Sequence, residues 1–127
     1  MSARDYLQPH QMKLFMTARE LMDIPAGDSK GYVPMSQNPS MSEKKLQESK
    51  TGWSAQARVP HGLGQTLHDS IKEKGVIKPV LINTDAPFKD RKRREILWNG
   101  HHRVVSAHDI DPDMYIRVIY TPIEYTE

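Results

Sequence analysis

The sequence contains no cysteine among its 127 residues. That absence excludes a disulfide framework, catalysis by a thiolate and a zinc site with cysteine ligands. Long hydrophobic runs are missing too, because no window approaches the roughly 18 uninterrupted apolar residues of a membrane helix. The first residues also lack the basic, apolar and small-residue succession of a secretion signal. We therefore expect a cytoplasmic protein with no membrane partner.

Apolar residues are scarce, at 37% of the chain, and only 7% of the residues are aromatic. A chain of this length is large enough for one domain with its own core and too small for two. Residues 1–64 are rich in loop signals, whereas residues 65–127 alternate between helical and strand patterns. We expect a single domain over residues 1–127, with its core in the second half.

Positive charge is concentrated in one short run. The net charge is only +2, but "KDRKRR" carries five basic residues and one acid. Such a run can neutralise phosphates of a nucleic acid, with an affinity that falls steeply in salt. The alternative is a charged connection that keeps a sheet edge soluble. The candidate contacts to a nucleic-acid backbone are Lys89, Arg91, Lys92, Arg93 and Arg94.

The first half of the chain offers two helices separated by loops. Residues 14–16 predict a short strand, and Thr17 with Glu20 forms a capping-box pattern for a helix over residues 17–22. A single amphipathic helix over residues 11–23 is the alternative. Residues 24–40 and 51–64 hold prolines, glycines and serines that indicate loops. Between them, Ser40 with Glu43 predicts the start of a polar surface helix.

The second half predicts a helix, two strands, a helix and a final strand. The first helix runs from Thr66 to a glycine stop at Gly75, and a strand over 76–83 has Pro79 near its start. Residues 96–98 predict the second strand, 102–110 a helix, 111–113 a turn and 114–120 the last strand. The basic run lies between the first two of these strands. This order predicts an α+β fold with a small mixed sheet and flanking helices.

A corner within "LWNGHHRVVSA" joins the second strand to its helix and carries the most suggestive chemistry. Gly100 lets the backbone approach a ligand, and the first amides of the helix carry positive partial charge. Arg103 offers a fork for phosphate oxygens, while His101 and His102 can donate hydrogen bonds or protons. The alternative is that Asn-Gly is only a turn and the arginine is solvated. Adjacent histidines lie about 100° apart on a helix, and His108 is badly spaced, so we expect no dedicated metal site.

Two stretches together resemble one superfamily. "LHDSIKEKGVIKPVLI" followed by "ILWNGHHRVVSA" is similar to the ParB/sulfiredoxin-like superfamily, whose members pair a helix, a glycine stop and a Pro-Val strand with a later glycine-arginine corner. "FMTAREL" and "KKLQESK" extend the resemblance to the ParB-like proteins, labelled nuclease domains, of actinobacterial phages. The matching positions in this chain are Ser70, Ile71, Gly75, Pro79, Val80, Gly100, Arg103 and Ala107.

The resemblance implies a phosphate site, and its branches imply different chemistry. In ParB partition proteins the corner holds the triphosphate of CTP, which implies a nucleoside triphosphate with Mg²⁺ as a ligand here. The related free serine kinases have an aspartate where this chain has Asn99, which argues against kinase chemistry. Sulfiredoxins have a cysteine beside the histidine, where this chain has His101, so reductase activity is excluded. The nucleotide or phosphate contacts at the corner are Gly100, His101, His102 and Arg103. We add Ser70 and Lys78 as neighbours of the pocket, and Arg58 as a mobile contributor.

Three functions follow from these patterns. The leading one is a DNA-associated phage protein of the bacterial cytoplasm that binds nucleotide or nucleic-acid phosphates at the corner. The second is a non-enzymatic protein that binds a host or phage protein through its loops at 24–40 and 51–64. The third is a metal-dependent nuclease, which needs convergent carboxylates. Asp69, Glu73 and Asp109 are the candidates, although acids on helices are more often solvated.

Overall fold

The computed structural model describes residues 13–52, 65–87 and 93–121. Two elements open the described chain, the strand β1 and the helix α1, and a 3₁₀ turn at Met35–Gln37 precedes α2. The later elements are three helices and three strands in mixed order, which confirms a mixed α+β architecture. The bounds are β1 Phe15–Thr17, α1 Ala18–Met22, α2 Pro39–Thr51, α3 Leu67–Lys74, β2 Val80–Pro87, β3 Arg93–Asn99, α4 His101–Ile110 and β4 Tyr115–Thr121.

The strands form one mixed sheet in the order β1-β4-β2-β3. β2 and β4 are parallel, whereas β1 pairs with β4 and β2 with β3 in antiparallel fashion. Helix α4 contacts the other three α-helices and β2. Its buried side chains join those of α1 and the inner sheet face in the core. That core includes Leu21, Val80, Ile82, Leu97, Val104, Ala107, Ile116 and Val118.

The predicted strand and helix at the start of the described chain are confirmed, and the single-helix alternative is wrong. Residues 15–17 pair with β4 instead of continuing a helix. Thr17 is the N-cap of α1, since its hydroxyl accepts the Glu20 N–H at 3.2 Å while the Glu20 carboxylate accepts the Thr17 N–H at 3.1 Å. The capping box ends the strand because the polar groups of both residues form hydrogen bonds within the first turn of the helix.

Helix α2 begins earlier than the sequence predicts. Asn38, not Ser40, is the N-cap, with its side-chain oxygen accepting the Met41 N–H at 3.4 Å. Pro39 follows at the first helical position, where a missing N–H costs nothing. The helix ends at Gly52, which adopts φ 72°. α2 is also more than a surface helix, because it packs on α4 and buries Ser49 completely.

The strand predicted over residues 76–83 begins only at Val80 and continues to Pro87. The reason is a long-range contact. The guanidinium of Arg103 donates to the carbonyl oxygens of Lys78 and Pro79, at 3.2 and 2.8 Å. Those carbonyls are therefore engaged by a side chain, and Pro79 has no N–H to give to a neighbouring strand.

The remaining boundaries differ in smaller ways. Helix α3 keeps its predicted cap at Thr66 and its stop at Gly75. Strand β3 is longer than predicted and includes the backbone of Arg93 and Arg94, so the basic run lies partly within a strand. Helix α4 starts one residue early, at His101. The turn at 111–113 is confirmed by the Met114 N–H bond to the Asp111 carbonyl. None of the helices in the described ranges is long and apolar enough to cross a bilayer.

Candidate functional site

A cavity of about 550 Å³ lies where β3 ends and α4 begins. Its wall combines the predicted corner with the helix α2 and the turn that contains Asp28. The sequence predicted no phosphate contact on either of those segments, although the loop at 24–40 was a predicted surface for a protein partner. The lining residues are Asp28, Met41, Lys44, Lys45, Glu48, Trp98, Asn99, Gly100, His101, His102 and Arg103.

Gly100 makes the corner possible by fitting against Val80. It has φ 104°, and a Cβ placed on it would lie 2.5 Å from Val80 Cγ1. The space that a side chain would need is thus filled by β2. The expectation that this glycine clears room for a ligand is therefore incomplete, because its immediate role is to let the chain turn tightly over the sheet.

His101 is buried and fastens the corner to the Asp28 turn. Its Nε2 accepts the Asp28 N–H at 3.4 Å, and its Nδ1 lies 3.3 Å from Asp28 Oδ2. This pattern assigns the ring proton to Nδ1. Burial lowers the pKa of His101 to about 4, although the Asp28 carboxylate opposes the change. The imidazole is therefore neutral at physiological pH and acts as a structural clamp.

His102 points to a different partner, as adjacent helical positions require. Its Nε2 lies 3.1 Å from Oε1 of Glu48 on α2. Burial lowers the pKa of His102, while the hydrogen bond to Glu48 acts in the opposite direction. Because the two histidines bind separate acids on separate segments, they hold the cavity wall together and do not converge on one point.

Arg103 joins the cavity to the sheet. Besides its bonds to the carbonyls of Lys78 and Pro79, Nη2 donates to Asn99 Oδ1 at 3.2 Å. These bonds place the guanidinium at the cavity with its charge intact, but they use two of its nitrogens for structure. Arg103 thus lines the cavity as a guanidinium that the backbone before β2 holds in place.

Two lysines on α2 complete the positive wall. Lys45 is only 12% exposed, and its Nζ lies 2.8 Å from Asp28 Oδ2. Burial tends to raise the pKa of Asp28, but Lys45 and the histidines outweigh it, so the pKa is lowered and the carboxylate stays charged. Lys44 is exposed and has no ion-pair partner within the described part of the chain. Its ammonium group is available to an anion.

The N-terminus of α4 opens on this cavity without a side-chain cap. The backbone N–H groups of His101 and His102 donate no hydrogen bond to any described residue. In a helix of ten residues these amides carry the positive end of the macrodipole. The cavity therefore combines three permanent cations and two uncapped amides with two carboxylates.

The other predicted contacts are distributed around the fold. Ser70 is buried on α3 and does not line the cavity. Lys78 is exposed and reaches the site only through its carbonyl, which accepts from Arg103. Arg93 and Arg94 lie in β3. The remaining predicted residues, Arg58, Lys89, Arg91 and Lys92, fall outside the described residues.

The predicted carboxylate set does not form a cluster. Asp109 lies 2.8 Å from His68 Nε2 and 3.7 Å from Lys50 Nζ, and these partners lower its pKa, with the His68 hydrogen bond as the largest cause. Glu73 instead accepts from Gln65, and Asp69 is exposed. Across the described ranges, no three histidine, aspartate or glutamate side chains come together to hold a metal ion.

Sequence reasoning missed the α2 and Asp28 parts of the wall. The adjacent lysines 44 and 45 were a visible signal, but a polar helix gives no indication of which structure it faces.

Comparison of the chain with protein-family models, with curated proteins and with solved structures gives no match.

Proposed function

We propose that this protein binds phosphate groups of a nucleotide or nucleic acid in the cavity at the start of α4. The observation that carries the proposal is an uncapped helix N-terminus that opens on a cavity lined by Lys44, Lys45 and Arg103. Helix amides and basic side chains are the groups that proteins use to hold phosphate oxygens. Lys44 is the principal direct cation, because it has no other partner among the described residues.

The charges of the described residues that line the cavity favour an anion. Asp28 is neutralised by Lys45, and Glu48 is the remaining carboxylate. His101 is uncharged at neutral pH because its pKa is about 4. Lys44 and the positive end of the α4 dipole therefore outweigh Glu48. A phosphate that enters gains from this field in a partly enclosed space, where charges interact more strongly than in bulk water.

A nucleoside triphosphate with Mg²⁺ would have to bring its own metal ligands. Asp28 already contacts Lys45 and His101, and Glu48 contacts His102. The residues present therefore do not fit a protein-held magnesium site, and phosphate oxygens would hold the ion. We accordingly propose phosphate binding that does not depend on a metal.

The resemblance to the ParB/sulfiredoxin-like superfamily belongs to the same proposal. It is supported by the mixed sheet and by the position of Gly100 and Arg103 directly after β3. On this view the chain is a DNA-associated phage protein of the bacterial cytoplasm, whose basic run contacts a nucleic-acid backbone independently of the ligand in the cavity.

Calorimetric titration with pyrophosphate, ADP, ATP, CTP and a short DNA duplex tests the proposal. Lys44→Gln should weaken binding of pyrophosphate by about threefold to tenfold through loss of one charge. Lys72→Gln is the matched control, since Lys72 is an exposed helical lysine that does not line the cavity. Arg103→Ala is less informative because it also releases the carbonyls of Lys78 and Pro79, directly before β2.

A second pair of variants tests the charge balance in the opposite direction. Glu48→Gln keeps an acceptor for His102 and removes a negative charge, so pyrophosphate should bind about threefold to tenfold more tightly. Glu43→Gln removes an exposed acid of α2 that does not line the cavity and should leave binding unchanged. The proposed site is wrong if none of the five ligands binds the wild-type chain. It is also wrong if Lys44→Gln, like the control Lys72→Gln, binds pyrophosphate with wild-type affinity.

Binding of a protein partner is the second candidate function. It is favoured by four exposed apolar side chains near β1 and β4, namely Leu14, Phe15, Tyr115 and Ile119. Capture of one host or phage protein that survives nuclease treatment, and that Phe15→Ser with Tyr115→Ser abolishes, would support it. Capture that disappears with nuclease would support the nucleic-acid function instead.

A further inference from the structure

A second cavity, of about 360 Å³, lies away from the proposed phosphate site. Glu95 lines it near the start of β3, whereas Trp98 and Asn99 line the first cavity at the end of that strand. Its other described walls come from β1, β4 and the segment that follows α1. Among the described residues, none lines both cavities. Phosphate binding therefore leaves this second cavity unused.

Glu95 gives the second cavity a carboxylate that no described side chain neutralises. Its side chain is half-buried, and burial raises the pKa of its carboxyl. Glu20, Asp28 and Asp109 differ from it, because each pairs with a described lysine or histidine. A carboxylate that loses hydration without gaining a partner is costly to ionise. A cation from outside the chain would offset that cost.

The other charged side chains leave the cavity negative. Lys13 lines it, but its ammonium group pairs with the carboxylate of Glu20, so these two charges cancel. Asp23 is a second acid of the wall, and it has no ion-pair partner within the described ranges. Asp23 and Glu95 therefore remain uncompensated. A positively charged ligand is the complement of such a wall.

The rest of the wall is suited to the carbon part of an organic ligand. Met16, Ile24 and Pro25 line the cavity and offer apolar surface to alkyl groups. Tyr120 adds an aromatic ring, and its hydroxyl oxygen accepts the Lys13 N–H at 3.2 Å. Aromatic rings also attract ammonium and guanidinium groups. A bare divalent ion would require more oxygen ligands than two acids provide.

We propose that this cavity binds a small organic cation, whose ammonium or guanidinium group lies at Glu95 and Asp23 while its apolar part packs on the aliphatic wall. The volume lies near the lower end of the roughly 300–1,000 Å³ of ligand pockets, so the occupant is a small molecule or a single side chain. The proposal goes beyond phosphate binding and does not depend on it, because the two cavities share no described residue. They take ligands of opposite charge.

Titration with butylammonium, butylguanidinium and butanol, followed by the amide chemical shifts of the protein, tests the proposal. Both cations should bind at least about tenfold more tightly than butanol, which has the same alkyl chain without the charge. Glu95→Gln should weaken both cations by about tenfold, since it removes the charge and keeps the shape of the side chain. It should leave the affinity for pyrophosphate unchanged. Glu43→Gln, at an exposed acid that does not line this cavity, is the matched control.

A change of the opposite sign is available at the same wall. Lys13→Gln removes a positive charge and leaves Glu20 unpaired, so both cations should bind about threefold more tightly. Asp23→Asn should weaken them by about threefold, because Asp23 is exposed and its charge is screened by water. A tripeptide with blocked ends and a central lysine distinguishes the source of the cation. If it binds more tightly than butylammonium, the occupant is a side chain of a protein, and if it binds more weakly, the occupant is a free molecule.

The outcomes separate this proposal from the phosphate site. If butanol binds as tightly as the two cations, or if neither cation binds, the cation site is wrong whatever happens with pyrophosphate. Wild-type affinity of Glu95→Gln for both cations overturns it as well. If Glu95→Gln does not fold, Lys13→Gln and Asp23→Asn still decide, because the proposal requires them to change the affinity in opposite directions.

Discussion

The tightest steric requirement among the residues at the site is at Gly100. Its φ of 104° is unfavourable for any residue with a Cβ, and that Cβ would meet Val80. We expect Gly100→Ala to lower the free energy of unfolding by about 2–5 kcal/mol, from backbone strain and overpacking together. Urea denaturation followed by circular dichroism measures the loss.

Gly52→Ala is the control for the backbone part of that cost. Gly52 also has a positive φ, of 72°, but a Cβ there would have no neighbour within 4 Å. Its replacement should cost about 1–2 kcal/mol. If the two variants lose the same stability, the contact between Gly100 and Val80 does not restrict the corner.

His101 should make stability depend on pH. Its pKa is about 4 in the folded chain against 6.5 when unfolded. Between these values the unfolded state binds more protons, so the free energy of unfolding falls as the pH falls from about 6.5 towards 4. The contribution is on the order of 3 kcal/mol. Asp28, Lys45 and His102 surround the ring, and the lowered pKa of His102 adds to the same trend.

The measurement compares urea denaturation of wild type and His101→Gln at several pH values between 7 and 4. The variant should be less stable at neutral pH and lose stability less steeply on acidification. Parallel pH profiles for the two proteins would show that the His101 imidazole is solvated and does not clamp the Asp28 turn.

Among the elements, α2 has an N-cap that the local sequence assigned to the wrong residue. Asn38 caps it through a bond to the Met41 N–H, whereas Ser40 is an exposed residue inside the first turn. Asn38→Ala should therefore lower the free energy of unfolding by about 1 kcal/mol, as the loss of an N-cap does. Ser40→Ala should be neutral or slightly stabilising, because alanine has the higher helix propensity. Thermal unfolding of both variants decides between the two caps.

Local chemistry explains which elements the sequence could predict. The capping box at Thr17 and Glu20, the cap at Thr66 and the stop at Gly75 each depend on residues within one turn, and all are correct. The start of β2 depends on Arg103, which is 24 positions from Pro79 and takes its carbonyl. A periodicity within the strand carries no information about such a partner, so the predicted boundary was early.

The same distinction applies to the site. Gly100, His101, His102 and Arg103 line the cavity as one short motif, and the sequence predicted them together. Lys44, Lys45 and Glu48 reach it only because α2 packs on α4. Only a sparse apolar stripe of α2, which includes Met41 and Leu46, takes part in that packing. Polar contacts supply the rest, because Asp28 contacts His101 and Glu48 contacts His102. Polar bridges between distant segments leave no periodic trace in a sequence.

At the scale of the whole molecule, two groups of basic residues can be compared. One lines the cavity, and the other is the sequence run Lys89–Arg94, of which the structure describes only the backbone of Arg93 and Arg94, at the start of β3. The cavity lies at the opposite end of β3, next to Asn99. Because β3 spans seven residues, at roughly 3.3 Å for each residue the backbones of Arg93 and Asn99 are about 20 Å apart along the strand. At physiological salt that distance exceeds the Debye length of about 8 Å, so the two should bind anions independently.

Independence can be tested by removing charge from one place at a time. The triple change Lys89→Gln, Arg91→Gln and Lys92→Gln should weaken binding of a DNA duplex and reduce the slope of log affinity against log salt by about 2–3, since each cation lost is one phosphate contact fewer. It should leave the affinity for pyrophosphate within about twofold. Lys44→Gln should instead weaken the binding of pyrophosphate and leave the binding of the DNA duplex unchanged. If the triple variant loses both ligands equally, the run and the cavity form one continuous anion surface. If the wild-type chain binds pyrophosphate but not DNA, the run serves only to keep the β2–β3 connection soluble.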